Sequence, residues 1–327
     1  MDLTHLLSGI TAPFLYLLLP NQRIFMLYLL SALVLAFAVY LIRARRTTEA
    51  EGRGFWSYLM PKSVYWHRSA RVDYRYFIIN RIAHALILAP VIAVSIVGAK
   101  SVAALATLLF GEMSAPLLPV TPLTTALVTL AAILAFDFGL YVTHYLQHKV
   151  PSLWEFHKVH HSAEVLTPIT VYRMHPVDDL FSATTAGSLI GIVHGVFGYL
   201  TAGGAEEYRL FGMNVLLAVF YVAGYNLRHS HVWLPLKGVW GRLFISPAHH
   251  QIHHSDAERH YDRNFGFIFG IWDWAFGSLY VPEKYEKLSF GLSEGEHREY
   301  DGVWRLYALP FVKLLRRLAP PVRSSRT

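Results

Sequence analysis

Long apolar runs alternate with polar, histidine-containing segments along the chain. The clearest apolar run covers residues 24–42, which supply the roughly 20 apolar residues that a helix needs to cross a hydrocarbon core. Comparable runs cover residues 76–99, 122–142, 181–200 and 211–225. The pattern predicts an all-α fold, an integral membrane helical bundle of about four to six spans with a histidine-rich helical cap.

For two shorter apolar segments and the C-terminal tail, the sequence leaves more than one position relative to the membrane open. Residues 101–110 are too short to span, so we expect a re-entrant or interfacial segment. Residues 6–19 follow a leader with Asp2 and no Lys or Arg, which argues against a secretory signal peptide and leaves a further span or an interfacial helix. The basic tail at residues 309–326 is predicted either to lie on the membrane or to be solvated.

The distribution of Lys and Arg predicts the orientation. Seven basic residues lie between Ala44 and Arg75, whereas the loop over residues 100–121 holds only Lys100. Cytoplasmic loops carry such an excess, so we expect the first loop to be cytoplasmic. Counting the spans forward places every histidine cluster on that same side. We therefore expect a bacterial inner-membrane protein whose site faces the cytoplasm.

The composition supports a membrane protein and excludes cysteine-based chemistry. Of 327 residues, 54% are hydrophobic and only 16% are charged, and the mean hydropathy is +0.34. Cysteine is absent, which excludes disulfides and thiolate ligands. The net charge of +7 fits loops that face anionic lipid. Nucleic acid is a poor partner for so apolar a chain.

Histidine supplies the candidate chemistry. The motif His-x-x-His-His-Ser occurs twice, beginning at His157 and at His250, and His144 and His148 stand four residues apart. On a helix, positions i, i+3 and i+4 share a face, so each cluster can direct several imidazoles one way. Imidazole suits Zn, Cu, Fe and Ni, and eight histidines exceed the four ligands of one tetrahedral ion. More than one metal ion is therefore predicted.

His229 and His231 raise the number of candidate ligands to ten. On a helix these two residues would not share a face well, and His229 is preferred. The candidate metal ligands are His144, His148, His157, His160, His161, His229, His231, His250, His253 and His254. Isolated histidines such as His5, His67, His84 and His297 are treated as ordinary core or surface residues.

Three further residues are expected to support the ligands. Asp137 and Tyr141 lie on one helical stripe with His144, and Asp137 is predicted to accept an imidazole N–H. The alternative is an interfacial carboxylate bound to water or to Tyr141. His175 is expected to lie behind the ligands or to pair with Asp178 or Asp179. Beyond the ligands, no nucleophile or acid–base catalyst is predicted.

The motifs DFGLYVTHYLQH, WEFHKVHHS, RMHP, RHSHVWLP, SPAHHQIHHS, DRNFG and IWDWAFGSLYVP follow one another between about Asp137 and Pro282. In this order they resemble the fatty acid hydroxylase and sterol desaturase superfamily of membrane di-iron enzymes, especially its alkylglycerol monooxygenase-like and bacterial sterol desaturase-like branches. The resemblance implies two iron ions held by nine of the ten candidate histidines, all except His231, with His231 as a possible tenth ligand. It also implies that O2 attacks an unactivated C–H bond of a membrane lipid.

The same resemblance implies electrons from an external donor. The chain has no nucleotide-binding glycine fingerprint and no haem-domain His-Pro-Gly-Gly motif, so we expect a separate reductase or a cytochrome- or ferredoxin-type protein. The expected organisation is N-terminal membrane helices at 1–120, a di-iron catalytic domain at 121–285 and a basic tail at 286–327, all in one structural unit. Both hydroxylation and desaturation remain open.

Three rival functions are weighed against an oxygenase. A metal transporter would hold its ligands near the bilayer midplane, whereas these clusters lie at or beyond the ends of the spans. A membrane haem protein would need histidines on facing helices, and adjacent pairs would be superfluous. A two-metal lipid hydrolase is the closest rival, because two metal ions can activate water as well as O2.

Overall fold

The computed structural model of the protein describes residues 15–45, 54–113, 115–204 and 206–318, except for the side chains of residues 81–91. Of the predicted segment at residues 6–19, residues 6–14 lie outside the described residues and only residues 15–19 are described. The end of the basic tail, beyond residue 318, lies outside them as well.

The described residues are mainly helical, as the apolar pattern predicts. The α-helices are α1 (Met26–Ala44), α2 (Phe55–Leu59), α3 (Lys62–Tyr65), α4 (Arg68–Phe110), α5 (Pro122–Lys149), α6 (Pro151–His161), α7 (Pro176–Leu200), α8 (Val215–Val222), α9 (Gly238–Leu243), α10 (Pro247–His253), α11 (Ile271–Ala275) and α12 (Val303–Leu318). Short 3-10 helices cover Pro168–Tyr172, Tyr225–Leu227, Glu258–His260 and Ser293–Tyr300. The two strands are β1 (Arg209–Leu210) and β2 (Met213–Asn214), which pair antiparallel.

Four helical segments of the described chain are long and apolar enough to cross a bilayer. They are α1, residues Ile92–Phe110 of α4, α5 and α7. Large apolar side chains project outward from them: Leu108 is 81% exposed and Leu123 is 69% exposed. A surface of this kind is stable against lipid tails rather than water, which supports the predicted membrane bundle.

Helix α4 corrects one sequence prediction. Residues 76–99 were expected to span and residues 101–110 to form a separate short segment, but α4 runs without interruption through both. The Lys100 side chain between the two segments is exposed, and a single lysine does not interrupt the helix because it removes no backbone hydrogen bond. At about 1.5 Å per residue, the 43 residues of α4 extend well beyond a bilayer core.

Small residues let α4 and α7 pack closely side by side. A Cβ atom added to Gly191 would lie 2.6 Å from the carbonyl oxygen of Ser95, and one added to Gly195 would lie 2.6 Å from that of Ala99. Helices in lipid associate through such close backbone contact. Substituting either glycine would push the two helices apart.

The segment 211–225 is not a span, and this corrects a second prediction. Gly212, at φ +79°, forms the turn between β1 and β2. Asn214 then caps α8 by accepting a hydrogen bond from the backbone N–H of Leu216 at 3.0 Å, and Gly224, at φ +102°, follows the helix. These residues limit α8 to eight positions, which is too short to cross a bilayer.

The chain nevertheless returns along α5 by means of this hairpin and short helix. The backbone N–H of Tyr208 donates to the hydroxyl of Thr129 at 2.8 Å, and the Asn214 amide donates to the Thr129 carbonyl at 2.9 Å. Thr129 lies near the start of α5, whereas His144 and His148 lie near its end. The chain thus reaches the histidine-bearing end without a fifth spanning helix.

The described part of the basic segment, residues 44–45 and 54–75, reaches the same end of the bundle as the histidines. Arg68 forms an ion pair with Glu164, at 3.1 Å, just after α6. The Tyr58 carbonyl oxygen is 2.7 Å from Nε2 of His231. The co-localisation expected from the Lys and Arg bias is therefore present in the fold.

Helix α12 covers part of this end. Leu306 is fully buried in a cluster with Tyr76 and Val159, while Trp304 and Leu318 are 75% and 72% exposed. Arg317 also binds Glu155, at 2.6 Å. The described part of the tail is thus a docked helix with one exposed apolar side.

Candidate metal centre

Five buried or partly buried histidines form the first cluster of ligand atoms. We call it the five-histidine group: His144 and His148 from α5, His157 and His161 from α6, and His253 from α10. One ring nitrogen of each lies within 4.8 Å of the others. Three helices that are distant in sequence therefore converge on one small volume.

Four buried histidines form a second cluster beside the first. This four-histidine group contains His160 from α6, His229 from the turn after the Tyr225–Leu227 3-10 helix, His250 from α10, and His254 at the end of α10. The Nε2 atom of His250 lies 3.0 Å from that of His229 and 3.1 Å from that of His254. Ring nitrogens that converge in this way form a donor set suited to a transition metal ion.

The repeated motif explains why two groups form. In the first copy, His157 and His161 are four residues apart and join the five-histidine group, while His160 between them faces the four-histidine group. The second copy is divided the other way: His250 and His254 join the four-histidine group, and His253 joins the five-histidine group. Positions i+3 and i+4 lie on either side of position i, so one helix can serve both groups.

Backbone carbonyls orient several rings. Nδ1 of His144 lies 2.7 Å from the carbonyl oxygen of Phe265, and Nδ1 of His253 lies 2.8 Å from that of Arg263. Nδ1 of His160 lies 3.3 Å from the carbonyl oxygen of Arg173. Because a carbonyl can only accept, Nδ1 carries the proton in each ring. This tautomer directs the Nε2 lone pair into the centre.

The remaining polar atoms fit a metal-binding role. The Nε2 atoms of His144, His148 and His157 are buried and have no hydrogen-bond partner among the described residues. Burial and neighbouring imidazoles hold the pKa of His161 and of His254 well below the usual range, and burial lowers the pKa of His253 to about 3. Neutral imidazoles with free lone pairs are what a transition metal ion requires, so the donor set fits one.

The two groups differ in the charges around them. At the five-histidine group, an Asp178 carboxylate oxygen lies 2.8 Å from Nδ1 of His157, and Asp262 lies 3.8 Å from Nδ1 of His148. At the four-histidine group, the Arg228 guanidinium lies 3.0 Å from Nδ1 of His250. Burial lowers the pKa of Arg228 to about 10, so this guanidinium stays charged at neutral pH.

Nine of the ten candidate ligands thus come together, and His231 does not. Its Nε2 hydrogen-bonds the Tyr58 carbonyl oxygen at 2.7 Å, and its ring lies edge-on to Tyr58 and Tyr65. His231 therefore connects the cap to the segment before α4 and belongs to neither histidine group.

Asp137 was predicted to accept an imidazole N–H, but among the described residues its hydrogen-bond donors are backbone and indole groups, and both Asp137 and Tyr141 contact the surroundings of the histidines. The Asp137 carboxylate accepts from the backbone N–H groups of Ile268 and Phe269 at 2.6 and 3.1 Å and from the Trp272 indole at 2.9 Å. These bonds anchor the loop whose Phe265 carbonyl orients His144. The Tyr141 hydroxyl lies 3.4 Å from the Ser278 hydroxyl, and its ring stacks on Phe276.

His175 has a helix-capping position. Its Nδ1 accepts from the backbone N–H of Val177 at 3.1 Å at the start of α7. Its Nε2 lies 3.2 Å from the Tyr307 carbonyl oxygen, so the ring lies between α7 and α12. Of the two expected partners, Asp178 and Asp179, Asp178 instead contacts His157.

Sequence reasoning named Asp178 only as a partner for His175, and it gave no site role to the two arginines beside the histidine motifs. Arg173 is buried and donates to Asp73 at 2.7 Å and to the Val159 carbonyl at 2.9 Å. Arg228 donates to the Phe267 carbonyl at 2.7 Å. The motifs RMHP and RHSH contain both arginines, and that adjacency was the available signal.

Two cavities touch the histidine groups, and a third shares lining residues with one of them. The inner pocket, about 110 Å³, touches both histidine groups, and its lining includes Arg23, Tyr225 and Arg228. The apolar cavity, about 580 Å³, shares Tyr225 and Arg228 with the inner pocket. The cap pocket, about 260 Å³, touches only the five-histidine group and is lined also by Asp262 and Glu296.

Residues 129–278 match the family model described as fatty acid hydroxylase. The chain is 28% identical over 159 residues to an ornithine lipid hydroxylase of Rhizobium tropici, covering 48% of this chain and 43% of that protein. It is 28% identical over 160 residues to an alkylglycerol monooxygenase of Xenopus tropicalis (49% and 32% coverage) and 32% identical over 151 residues to a human cholesterol 25-hydroxylase (46% and 50% coverage).

The chain therefore spans half or less of the length of these relatives, and no solved structure matches it. The matched range contains all nine clustered histidines and lies inside the predicted domain at 121–285. The matched family is the one that the motifs resemble, and the relatives are named as a lipid hydroxylase, a monooxygenase and a sterol hydroxylase.

Proposed function

We propose that the protein is a membrane-bound di-iron oxygenase that hydroxylates or desaturates an unactivated C–H bond of a membrane lipid, using O2 and an external electron donor. The observation that carries the proposal is the pair of adjacent histidine groups, with five and four ligand atoms. Each group offers enough imidazoles for one iron ion, and together they exceed what a single ion takes.

The chain's own residues would hold and orient the two ions. Iron bound there would supply the activation of O2 that attack on an unactivated C–H bond requires. The carbonyls of Phe265, Arg263 and Arg173 keep three of the rings in one tautomer, and Asp178 does the same for His157. Preorganised rings need little rearrangement when metal binds.

The apolar cavity supports a lipid substrate. Its volume of about 580 Å³ is suited to a sizeable apolar ligand. Part of its wall comes from Leu130 on α5 and Val219 on α8, whose side chains are 45% and 56% exposed. A hydrocarbon chain could thus enter sideways from the bilayer. The relatives named for ornithine lipid, alkylglycerol and cholesterol agree with a lipid substrate.

The orientation and electron supply complete the proposal. The basic segment and the histidine centre share one end of the bundle, so the Lys and Arg bias supports a cytoplasm-facing site in a bacterial inner membrane. Residues 121–285 would form the catalytic domain, with membrane helices before it and the basic tail after it. A separate reductase, or a cytochrome- or ferredoxin-type protein, would deliver the electrons.

Isotopically labelled O2 tests the proposal against the two-metal hydrolase. Membranes containing the iron-loaded protein would be given a reducing system and labelled O2, and their lipids analysed by mass spectrometry. Hydroxylation predicts a lipid with one labelled oxygen atom, and desaturation predicts O2-dependent loss of two hydrogens. A hydrolase predicts oxygen taken from water without O2. Absence of any O2-dependent lipid change would contradict the proposal.

A further inference from the structure

Arg23 brings a positive charge to the inner pocket from outside the matched range. It lies just before α1 and lines the pocket together with His144 and His160. Its backbone is held in place, because the Asn226 side-chain amide donates to the Arg23 carbonyl oxygen at 3.0 Å. The family model begins at residue 129, so nothing in that match assigns Arg23 a role.

The Arg23 guanidinium keeps hydrogen-bonding capacity. It donates to the Val171 carbonyl at a long 3.5 Å and lies near the Tyr221 hydroxyl, whereas a guanidinium carries five N–H donors. Among the ion pairs of the described residues, none joins Arg23 to a carboxylate within 4.0 Å. Asp179 lines the same pocket and attracts Arg23 through space.

Arg228 adds a second guanidinium to the wall of the same pocket. It is 2% exposed, and its Nε is buried without a hydrogen-bond partner in the described part of the chain. A buried donor without a partner is unfavourable until an acceptor arrives. The wall of the inner pocket therefore carries two guanidinium groups that keep unused donors, beside the Asp179 carboxylate.

The apolar cavity adjoins this positive pocket at Tyr225 and Arg228. The inner pocket holds the arginines and the histidines, while the cavity is lined largely by side chains such as Leu216, Phe220 and Ile268. The two volumes together are complementary to an amphiphile with an acidic group at one end and a hydrocarbon chain at the other.

We propose that the inner pocket binds the anionic group, a phosphate or carboxylate, of an acidic lipid, and that Arg23 determines this specificity. The inference rests on the proposed lipid oxygenase function and narrows its substrate class. The hydrocarbon chain extends into the apolar cavity. The carbon atoms nearest the histidines then lie close to the acidic group rather than at the far end of the chain.

Binding of small amphiphiles to the iron-loaded protein in lipid nanodiscs tests this without O2 or reductant. The probes are dodecyl phosphate, dodecanol and inorganic phosphate. Charge-assisted hydrogen bonds predict that the wild type binds dodecyl phosphate about tenfold or more tightly than dodecanol. Arg23→Gln should remove most of that preference and Arg23→Lys should retain part of it. Inorganic phosphate should compete poorly, because it lacks the hydrocarbon chain.

Equal affinity of the wild type for the two dodecyl probes would overturn the inference, as would full preference in Arg23→Gln. If inorganic phosphate competed as strongly as dodecyl phosphate, the claim that the hydrocarbon chain contributes to binding would be overturned. Iron content and the unfolding temperature report whether each variant folds. If Arg23→Gln does not fold, the inference is judged by the preference of the wild type for dodecyl phosphate and by the part of it that Arg23→Lys retains. Anion preference without any O2-dependent lipid product would count against the proposed function and leave the binding result standing.

Discussion

The two histidine groups are built from the same parts and differ in what surrounds them. Each takes two histidines from one copy of the repeated motif and one from the other copy. His144 and His148 complete the five-histidine group, whereas His229 alone completes the four-histidine group. A short sequence repeat thus produces two sites with different numbers of ligands.

Their electrostatic surroundings are opposite. Asp178 and Asp262 lie against the five-histidine group, whereas the Arg228 guanidinium lies against His250 of the other. Carboxylates favour a bound cation and a guanidinium opposes it. We therefore expect the five-histidine group to hold its ion more tightly. It also adjoins both the cap pocket and the inner pocket, while the four-histidine group adjoins only the inner pocket.

The largest expected effect comes from removing a ligand. His253→Ala should lower metal content and reduce O2-dependent lipid oxidation by more than about 100-fold. Mutation of a residue that only hydrogen-bonds a ligand typically costs about 10- to 100-fold, and loss of the ligand itself should cost more. Metal analysis and lipid mass spectrometry measure both. His231→Ala is the matched control and should keep its metal, since His231 lies outside both groups. Equal metal loss in the two variants would contradict the assignment.

The next largest effect is expected from Arg173, whose carbonyl oxygen orients His160 of the four-histidine group. Arg173→Met should destabilise the protein by about 3–5 kcal/mol, because Asp73 would be left as a buried charge without its partner. Denaturant unfolding in detergent measures the loss. Arg68→Met removes an exposed ion pair with Glu164 and should cost no more than about 1 kcal/mol. Similar losses in both variants would argue against a special role for the buried pair.

Asp178→Asn tests the electrostatic difference directly. The substitution keeps the shape but weakens the acceptor for Nδ1–H of His157, and such changes lower metal affinity about 10- to 100-fold. The weakening should appear at the five-histidine group only. Metal titration of the metal-free variant would show one weakened site and one unchanged site. Uniform weakening of both would remove the distinction between the groups.

Glu296, in the lining of the cap pocket, gives the smallest effect. Partial burial opposes ionisation, but hydrogen bonds from Lys313 and Lys158 prevail and hold the pKa of Glu296 below its usual 4.5. A lowered folded-state pKa stabilises the protein above the usual value, and that stability is lost as the pH falls through the lowered one. Glu296→Gln should cost less than about 1 kcal/mol at pH 7. Unfolding measured down to pH 3 should show the difference disappearing below pH 4.5.

The sequence was most informative where spacing alone decides geometry. The i, i+3, i+4 pattern placed three histidines per motif on one helical side, and nine of the ten candidates meet in the structure. His231 follows His229 by two residues, and its position depends on the turn after Leu227, which periodicity does not describe. The partner of Asp178 depends on how α6 packs against α7, which is a tertiary contact.

The span predictions failed where local turn chemistry overrode hydropathy. Residues 211–225 are apolar enough to suggest a helix, but Gly212, Asn214 and Gly224 restrict it to eight positions. Conversely, the predicted span ended at residue 99, whereas α4 continues past it to Phe110. A hydropathy window averages over such single residues, whereas their backbone dihedrals and caps determine where a helix begins and ends.

Iron titration of the anaerobic, metal-free protein tests the central claim most directly. Two separate histidine groups predict two iron ions per chain for the wild type. His229→Ala, which removes a ligand from the four-histidine group alone, should bind one iron ion tightly and keep the five-histidine site intact. A wild type that binds a single iron ion, or a His229→Ala variant that still binds two with wild-type affinity, would contradict the account.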